Sequence, residues 1–225
     1  MCPISCLTNH HPVQKQKDGV IKVTTSSGSS SYDRVVVAVN EGSCAKLLSP
    51  ESVVNEQRSV GNLYFSFRGI PPVTEPILIL NGEKPTVSRP INNLCFPTTV
   101  SRGYSMDDNL SLCSVTVLKA QMDAFHNDDK GLEKSCRNHL GLIFKDIEGI
   151  RDWQCLGVFR VENAQPQQYN STFAANKNGG RNCGYFHEVK LPEGVFVSGD
   201  FMATATLNGA FESGRNAGLA AIQKE

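Results

Sequence analysis

Gly199 and Asp200 close the apolar run "GVFVS", and after a short polar turn Thr206 opens "TLNGAFESGRNAGLAAI". A glycine lets the backbone turn sharply or approach a ligand closely. An ionised carboxylate accepts hydrogen bonds and donates none, so an acid at this place suits a hydroxyl-bearing ligand such as a ribose or a ribityl chain. In open α/β sheets, ligands bind beyond the carboxyl ends of the strands, which is where these two residues fall. Thr206 is a candidate N-cap, with Leu207, Asn208 and Gly209 as the first helical turn. The free N–H groups of such a turn point outward, and the positive end of the helix favours negative charge. Spacing alone leaves a second reading equally open, a Gly-Asp turn into a helix that packs and binds nothing.

No other constellation competes. The eight cysteines, Cys2, Cys6, Cys44, Cys95, Cys113, Cys136, Cys155 and Cys183, form no C-x-x-C pair. Several lie in apolar runs and read as buried reduced thiols rather than metal ligands or disulfides. His10, His11, His126, His139 and His187 lack any ligand spacing, so no metal is expected. There is no G-x-S-x-G elbow. The pairs Asp107-Asp108 and Asp128-Asp129 read as turn residues or helix caps, not as acid/base dyads. Trp153 reads as a core anchor, with a place in a substrate channel as the other reading.

The elements that must position the Gly-Asp corner belong to two textures. "GVIKVTT" alternates like a half-buried strand, and "SSGSSS" reads as a turn. "RVVVAV" is a continuous β-branched run, expected to be a strand covered on both faces as in a parallel sheet. "EGSCAKLLSPESVVN" reads as a short helix ending near Pro50. From Gly61 the chain becomes sheet-rich and mostly antiparallel, with "NLYFSF", "PILIL", "NNLCF", "LSLCSVTVL" and "WQCLGVFRV" as strands. Between the last two, Leu132, Cys136, Leu140 and Ile143 recur at helical spacing. Residues 164–181 are polar and rich in Gly and Asn, and read as a loop. "GVFVSG" returns to the first texture. The last helix is expected to bury Leu207, Ala210, Phe211, Gly214, Ala217, Gly218, Ala221 and Ile222 on one side. The fold class is therefore α/β, α+β overall: a discontinuous α/β domain from 1–60 and 181–225, flanking a sheet-rich domain at 61–180.

Size and charge are consistent with this. A chain of 225 residues makes one or two domains without staples. Twenty-two basic residues against 22 acidic ones give no basic excess, which argues against a nucleic-acid partner. No stretch is apolar and long enough to span a bilayer, and the first residues have no signal-peptide pattern, so an intracellular protein is favoured. The sequons at Asn109 and Asn170 then carry no meaning.

"GVFVSGDFMATATLNGAFESGRNAGLAAI" resembles the C-terminal flavin-binding signature of the FAD-dependent amine oxidase and phytoene desaturase-like superfamily. Gly199-Asp200, Asn208-Gly209-Ala210 and Ser213-Gly214-Arg215 carry the match. "HPVQKQKDGVIKVTTSSGSSSYDRVVVAVNEGSCAKLL" looks like the adenine-side hairpin and the strand that follows it. "EPILILNGE", "INNLCFPTTVSRGYS", "LSLCSVTV" and "WQCLGVFRVENAQPQ" look like the substrate-side segments. The resemblance implies a two-domain FAD-binding fold of the GR2-type, Rossmann-like class, with FAD as cofactor. It implies that Asp200 meets the ribityl or phosphate-side hydroxyls. Leu207, Asn208 and Gly209 would face the pyrimidine edge of the flavin, where the helix end suits charge gathered on reduction, and Val13 would make the adenine-side backbone contact. No residue declares itself catalytic.

One departure stands out. The family opens with a G-x-G-x-x-G turn that holds the pyrophosphate, followed by a ribose-binding acid. The chain contains neither, and "NGGRNCG" at 178–184 has the wrong spacing. The resemblance thus implies the C-terminal portion of an FAD-dependent oxidoreductase acting on a small apolar or amine substrate. The other expectation is a non-catalytic remnant, or a partner-binding protein with exposed sheet edges, that does not hold FAD alone.

Overall fold

Two compact units make up the chain in the computed structural model, one of Met1–Gln57 with Gln165–Glu225, the other of Arg58–Ala164. The residues described are 13–16, 19–48, 57–145, 149–167 and 191–223. His10, His11, His187, Cys2, Cys6, Cys183, the Asn170 sequon and the 178–184 glycine cluster lie outside them.

The first unit begins with three antiparallel strands, β1 (Gln14–Lys15), β2 (Ile21–Thr25) and β3 (Gly28–Tyr32). The serine cluster is therefore mostly strand, and only Ser26 and Ser27 form the turn. So short a turn sets Gly28 opposite Thr25 and Tyr32 opposite Ile21, and pairing follows even though the serines have no alternation to show. Next come β4 (Val35–Val37) and α1 (Glu41–Leu48). Asn40 caps α1, its side-chain oxygen accepting the Ser43 N–H at 2.8 Å. After the second unit the chain returns through β10 (Val195–Val197), which pairs parallel with β4. Val36 is 40% exposed, so "RVVVAV" is not covered on both faces as expected, although Val37 is buried. Ile21, Val37, Cys44, Leu47, Val195 and Phe201 form the core here.

In the second unit one sheet runs in the order β6-β7-β8-β5-β9. Its strands are β5 (Gln57–Arg68), β6 (Ile79–Leu80), β7 (Ile91–Cys95), β8 (Leu110–Leu118) and β9 (Gln154–Pro166). β5 and β8 pair antiparallel with Leu63 opposite Val115 and Phe65 opposite Cys113, so alternate residues face one core. Short helices α2 (Pro97–Val100) and α3 (Lys119–Ala124) flank β8, and α4 (Asp129–Ile143) covers the core face. Trp153 anchors that core, stacked on Phe67 at 4.0 Å and 9°. Arg137 clamps the turn before it, donating to the carbonyls of Ile150, Arg151 and Trp153 at 2.9, 3.1 and 2.7 Å. β9 runs past the expected strand end into 164–166, which the composition alone reads as loop. The Gln165 amide donates to the Ala205 carbonyl at 3.4 Å within the first unit.

On α4 the buried residues are Leu132, Cys136, His139 and Leu140, while Ile143 is exposed. His139 takes the place expected of Ile143 because its Nδ1 accepts the Ile91 N–H at 3.2 Å. Asp128 caps α4 through the Gly131 N–H, and Asp129 pairs with Arg160 at 2.8 Å. Asp107 accepts the Asn109 N–H, so neither acid pair forms a dyad. The five described cysteines are all free. Burial pushes Cys44 and Cys136 up to about 12 and Cys113 higher still, which makes them inert core thiols.

Replacing Trp153 by Ala is expected to cost about 3–5 kcal/mol in chemical unfolding. A second expectation concerns His139. Burial first, and the Arg89 charge second, hold its pKa below 6.5 against the pull of Glu83. The unfolded chain then binds the extra proton first. The stabilisation is complete above 6.5 and is lost as pH falls from there through the lower folded value. Urea titrations between about pH 8 and about pH 5 should show this loss in the native chain. A His139→Asn variant, which keeps an acceptor that does not titrate, should lack that part of the slope.

Candidate functional site

β10 ends at Val197, and the Ser198 N–H still donates to the Val37 carbonyl at 3.0 Å, so the parallel ladder holds up to the corner. Gly199 follows with an extended backbone. Its need for glycine is steric, because a Cβ there would run into the buried ring of Phe201. Asp200 begins a single 3-10 turn to Met202, closed by Met202 N–H to Gly199 carbonyl at 3.1 Å. The Asp200 carboxyl is only partly covered. Burial pushes its pKa up from 3.8, opposed by the N–H groups of Phe201 and Asp200 itself.

The helix α5 (Leu207–Ile222) starts one short turn later. Thr206 is its N-cap, the hydroxyl accepting the Gly209 N–H at 3.0 Å. Gly209 is thus committed to the cap, while the N–H groups of Leu207 and Asn208 have no acceptor among the described residues. Gly209 also has no room for a side chain, because a Cβ would sit on the Thr204 carbonyl. The 203–206 segment is therefore laid directly over the first helical turn.

The buried stripe of α5 is Gly209, Ser213 and Ala217, at spacings of four. Leu207, Phe211 and Ile222, expected on the buried side, are 72%, 69% and 73% exposed. The helix is rotated because only small side chains fit where it meets the end of β10, and because Ser213 has partners there. Its hydroxyl accepts the Gly199 N–H at 2.9 Å and lies 2.7 Å from the Gly199 carbonyl. At the far end, Arg34 donates to the carbonyls of Ala221 and Gln223 at 2.7 and 2.6 Å, completing the C-terminal cap.

Six of the expected site residues, Gly199, Asp200, Thr206, Leu207, Asn208 and Gly209, thus lie on one corner. Val13 stands apart from it. Its side chain is buried, and its N–H donates to the Leu47 carbonyl at 3.1 Å. An open depression of about 610 Å³, lined in part by Tyr32, Asp33 and Arg34, lies at the amino ends of β4 and β10, opposite to the corner. Ser213 appears in the sequence only as part of the Ser213-Gly214-Arg215 match, with no role of its own; the structure makes it the contact between α5 and Gly199. Among the described residues no group of His, Cys, Asp or Glu could hold a metal ion, and no helix is long and apolar enough to cross a membrane.

The donor set fits a polar, hydroxyl-bearing cofactor with an electron-rich edge: one carboxylate acceptor, two open N–H donors at a helix start, and glycines that keep side chains away. Comparison with known proteins bears on that fit. A family model described as flavin-containing amine oxidoreductase matches residues 7–219. No curated protein matches the chain. Among solved structures, the putative protoporphyrinogen oxidase from Exiguobacterium sp. 255-15 is similar at 14% identity, with a TM-score of 0.64 over 95% of this chain and 47% of that one. A protein from Pyrococcus furiosus gives 14% and 0.55, over 91% and 45%. An oxidoreductase from Methanosarcina mazei gives 11% and 0.59, over 91% and 47%. At such identities the likeness is one of fold, and the chain spans about half the length of these structures.

Gly209→Ala should destabilise the chain by about 1–3 kcal/mol, the usual cost of forcing extra volume into a packed site. Thermal unfolding beside Gly218→Ala, where a Cβ meets nothing within 4 Å, isolates the effect.

Proposed function

The chain belongs to the flavin-containing amine oxidoreductase family, and we propose that its Gly199–Gly209 corner holds the flavin of an FAD-dependent oxidoreductase. The observation that carries this reading is that the turn begun by Asp200 adjoins α5, whose Leu207 and Asn208 N–H groups are open, at the carboxyl end of a parallel strand pair. In this reading Asp200 accepts from hydroxyls of the ribityl or phosphate-side part of FAD. The Leu207 and Asn208 N–H groups donate to the electron-rich edge of the ring, helped by the positive end of α5. When bound, the flavin supplies hydride acceptance from a C–N or C–C bond. Val13 is proposed for the adenine-side contact through its remaining backbone carbonyl, since its N–H is already bonded. The substrate is proposed to be a small apolar or amine-bearing molecule, with the second unit as the substrate-side domain. That unit supports the reading with a sheet face turned away from its core. The face carries Asn62, hydrogen-bonded to Ser114, and Tyr64, set edge-on to Phe159.

One observation favours a second reading. The exposed Leu207, Phe211 and Ile222 share a stripe of α5, and Val36 is exposed on β4. A protein that needs a partner surface to cover these residues would not hold FAD alone.

FAD titration of the 225-residue chain, followed by quenching of flavin fluorescence, separates the two. Saturable binding that weakens by about tenfold or more in Asp200→Ala is expected, as loss of a charge-assisted hydrogen bond implies. A colourless, self-associating protein whose behaviour is the same in both forms would support the second reading.

A further inference from the structure

Ser213 is almost wholly buried. Its hydroxyl accepts the Gly199 N–H at 2.9 Å. Its single proton can go to the Gly199 carbonyl at 2.7 Å, to the Ala210 carbonyl at 3.1 Å or to the Ser198 hydroxyl at 3.4 Å. One side chain thus grips both polar groups of the residue before Asp200, from the second turn of the helix whose first turn carries the open N–H groups. Among the described residues no other hydrogen bond joins α5 to the Gly199–Asp200 backbone. Its neighbour Ser198, 3.4 Å away and equally buried, makes no such contact with Gly199.

We infer that Ser213 is a positioning residue, whose hydroxyl locks the Gly199–Asp200 corner to α5 and so fixes the spacing between the acid and the helix-start donors that a flavin must span. This rests on the flavin reading above. The carboxylate and the Leu207 and Asn208 N–H groups lie on separate segments, joined by a loop that the Gly209 contact presses down but does not tie to Gly199. Without the lock, the corner and the helix can shift against each other. Binding would then lose affinity because each half is correctly placed less of the time.

The test compares Ser213→Ala with Ser198→Ala in the full chain. Both remove one buried hydroxyl of the same kind, and only the first breaks the lock. The first measurement is amide hydrogen exchange at Gly199, which should speed up at least about tenfold in S213A, the loss of roughly one hydrogen bond, and little in S198A. The second is FAD affinity together with the visible circular dichroism of the bound flavin. S213A should bind about tenfold more weakly than S198A and show an altered spectrum. Should S213A fail to fold, S213C, which keeps the volume and weakens the bonds, is read in the same way. If the native chain binds FAD and S213A matches S198A in affinity and spectrum, the positioning role is overturned and the flavin reading stands. If the native chain binds no FAD, the flavin reading falls and the positioning role falls with it, whatever the exchange rates show.

Discussion

The close seat of α5 against the end of β10 is the constraint on which the first unit depends. A helix can come that near a strand end only where its side chains are small, and Gly209, Ser213 and Ala217 supply that stripe. Gly209 admits the 203–206 segment to direct backbone contact, and Ser213 replaces packing with hydrogen bonds to Gly199. The same seat decides which groups remain open. It leaves the first two N–H groups of the helix and the Asp200 carboxylate on one corner, and turns Leu207 and Phe211 outward. Arg34 fixes the other end of the helix through two carbonyls, so α5 is held at both ends by polar contacts.

The second unit is built on a different principle. Its core is large and aromatic, with Phe65, Phe67, Phe96 and Trp153 between one sheet and α4. Arginines complete the connections. Arg137 holds the turn before Trp153 while lying 5.1 Å over the Phe65 ring, and Arg160 holds the end of α3 through the carbonyls of Met122 and Phe125. Bulky packing of this kind resists change but builds no corner of open donors. The two units thus differ in how they are held, by small residues and polar contacts in the first and by aromatic packing in the second.

How much of this was legible in the sequence follows from what each pattern encodes. Alternating strands such as "NLYFSF" and "LSLCSVTVL" declare themselves, because large apolar residues mark one face without ambiguity. α5 declared its existence but not its rotation, since Ala and Gly carry little hydropathy and Leu207 and Phe211 pulled the expected face the wrong way. His139 and Ser213 were invisible as core residues for one shared reason. A polar side chain enters a core through a specific hydrogen-bond partner, and the partner, Ile91 or Gly199, is known only after folding. The serine strand β3 was hidden by the same logic, because its place comes from a two-residue turn and not from its own pattern. The Gly-Asp corner was legible as a location because strand ends in parallel sheets are where ligands bind, but which N–H groups stay free depended on the cap that Thr206 makes.

The most direct test of the account is a map of backbone amide chemical shifts in the isotope-labelled chain as FAD is added. The account predicts that the largest changes fall on Asp200, Leu207 and Asn208, with the Gly199 and Gly209 amides, already bonded to Ser213 and Thr206, moving less. Changes that saturate elsewhere and leave those three amides still, or no saturable change at all, would contradict it.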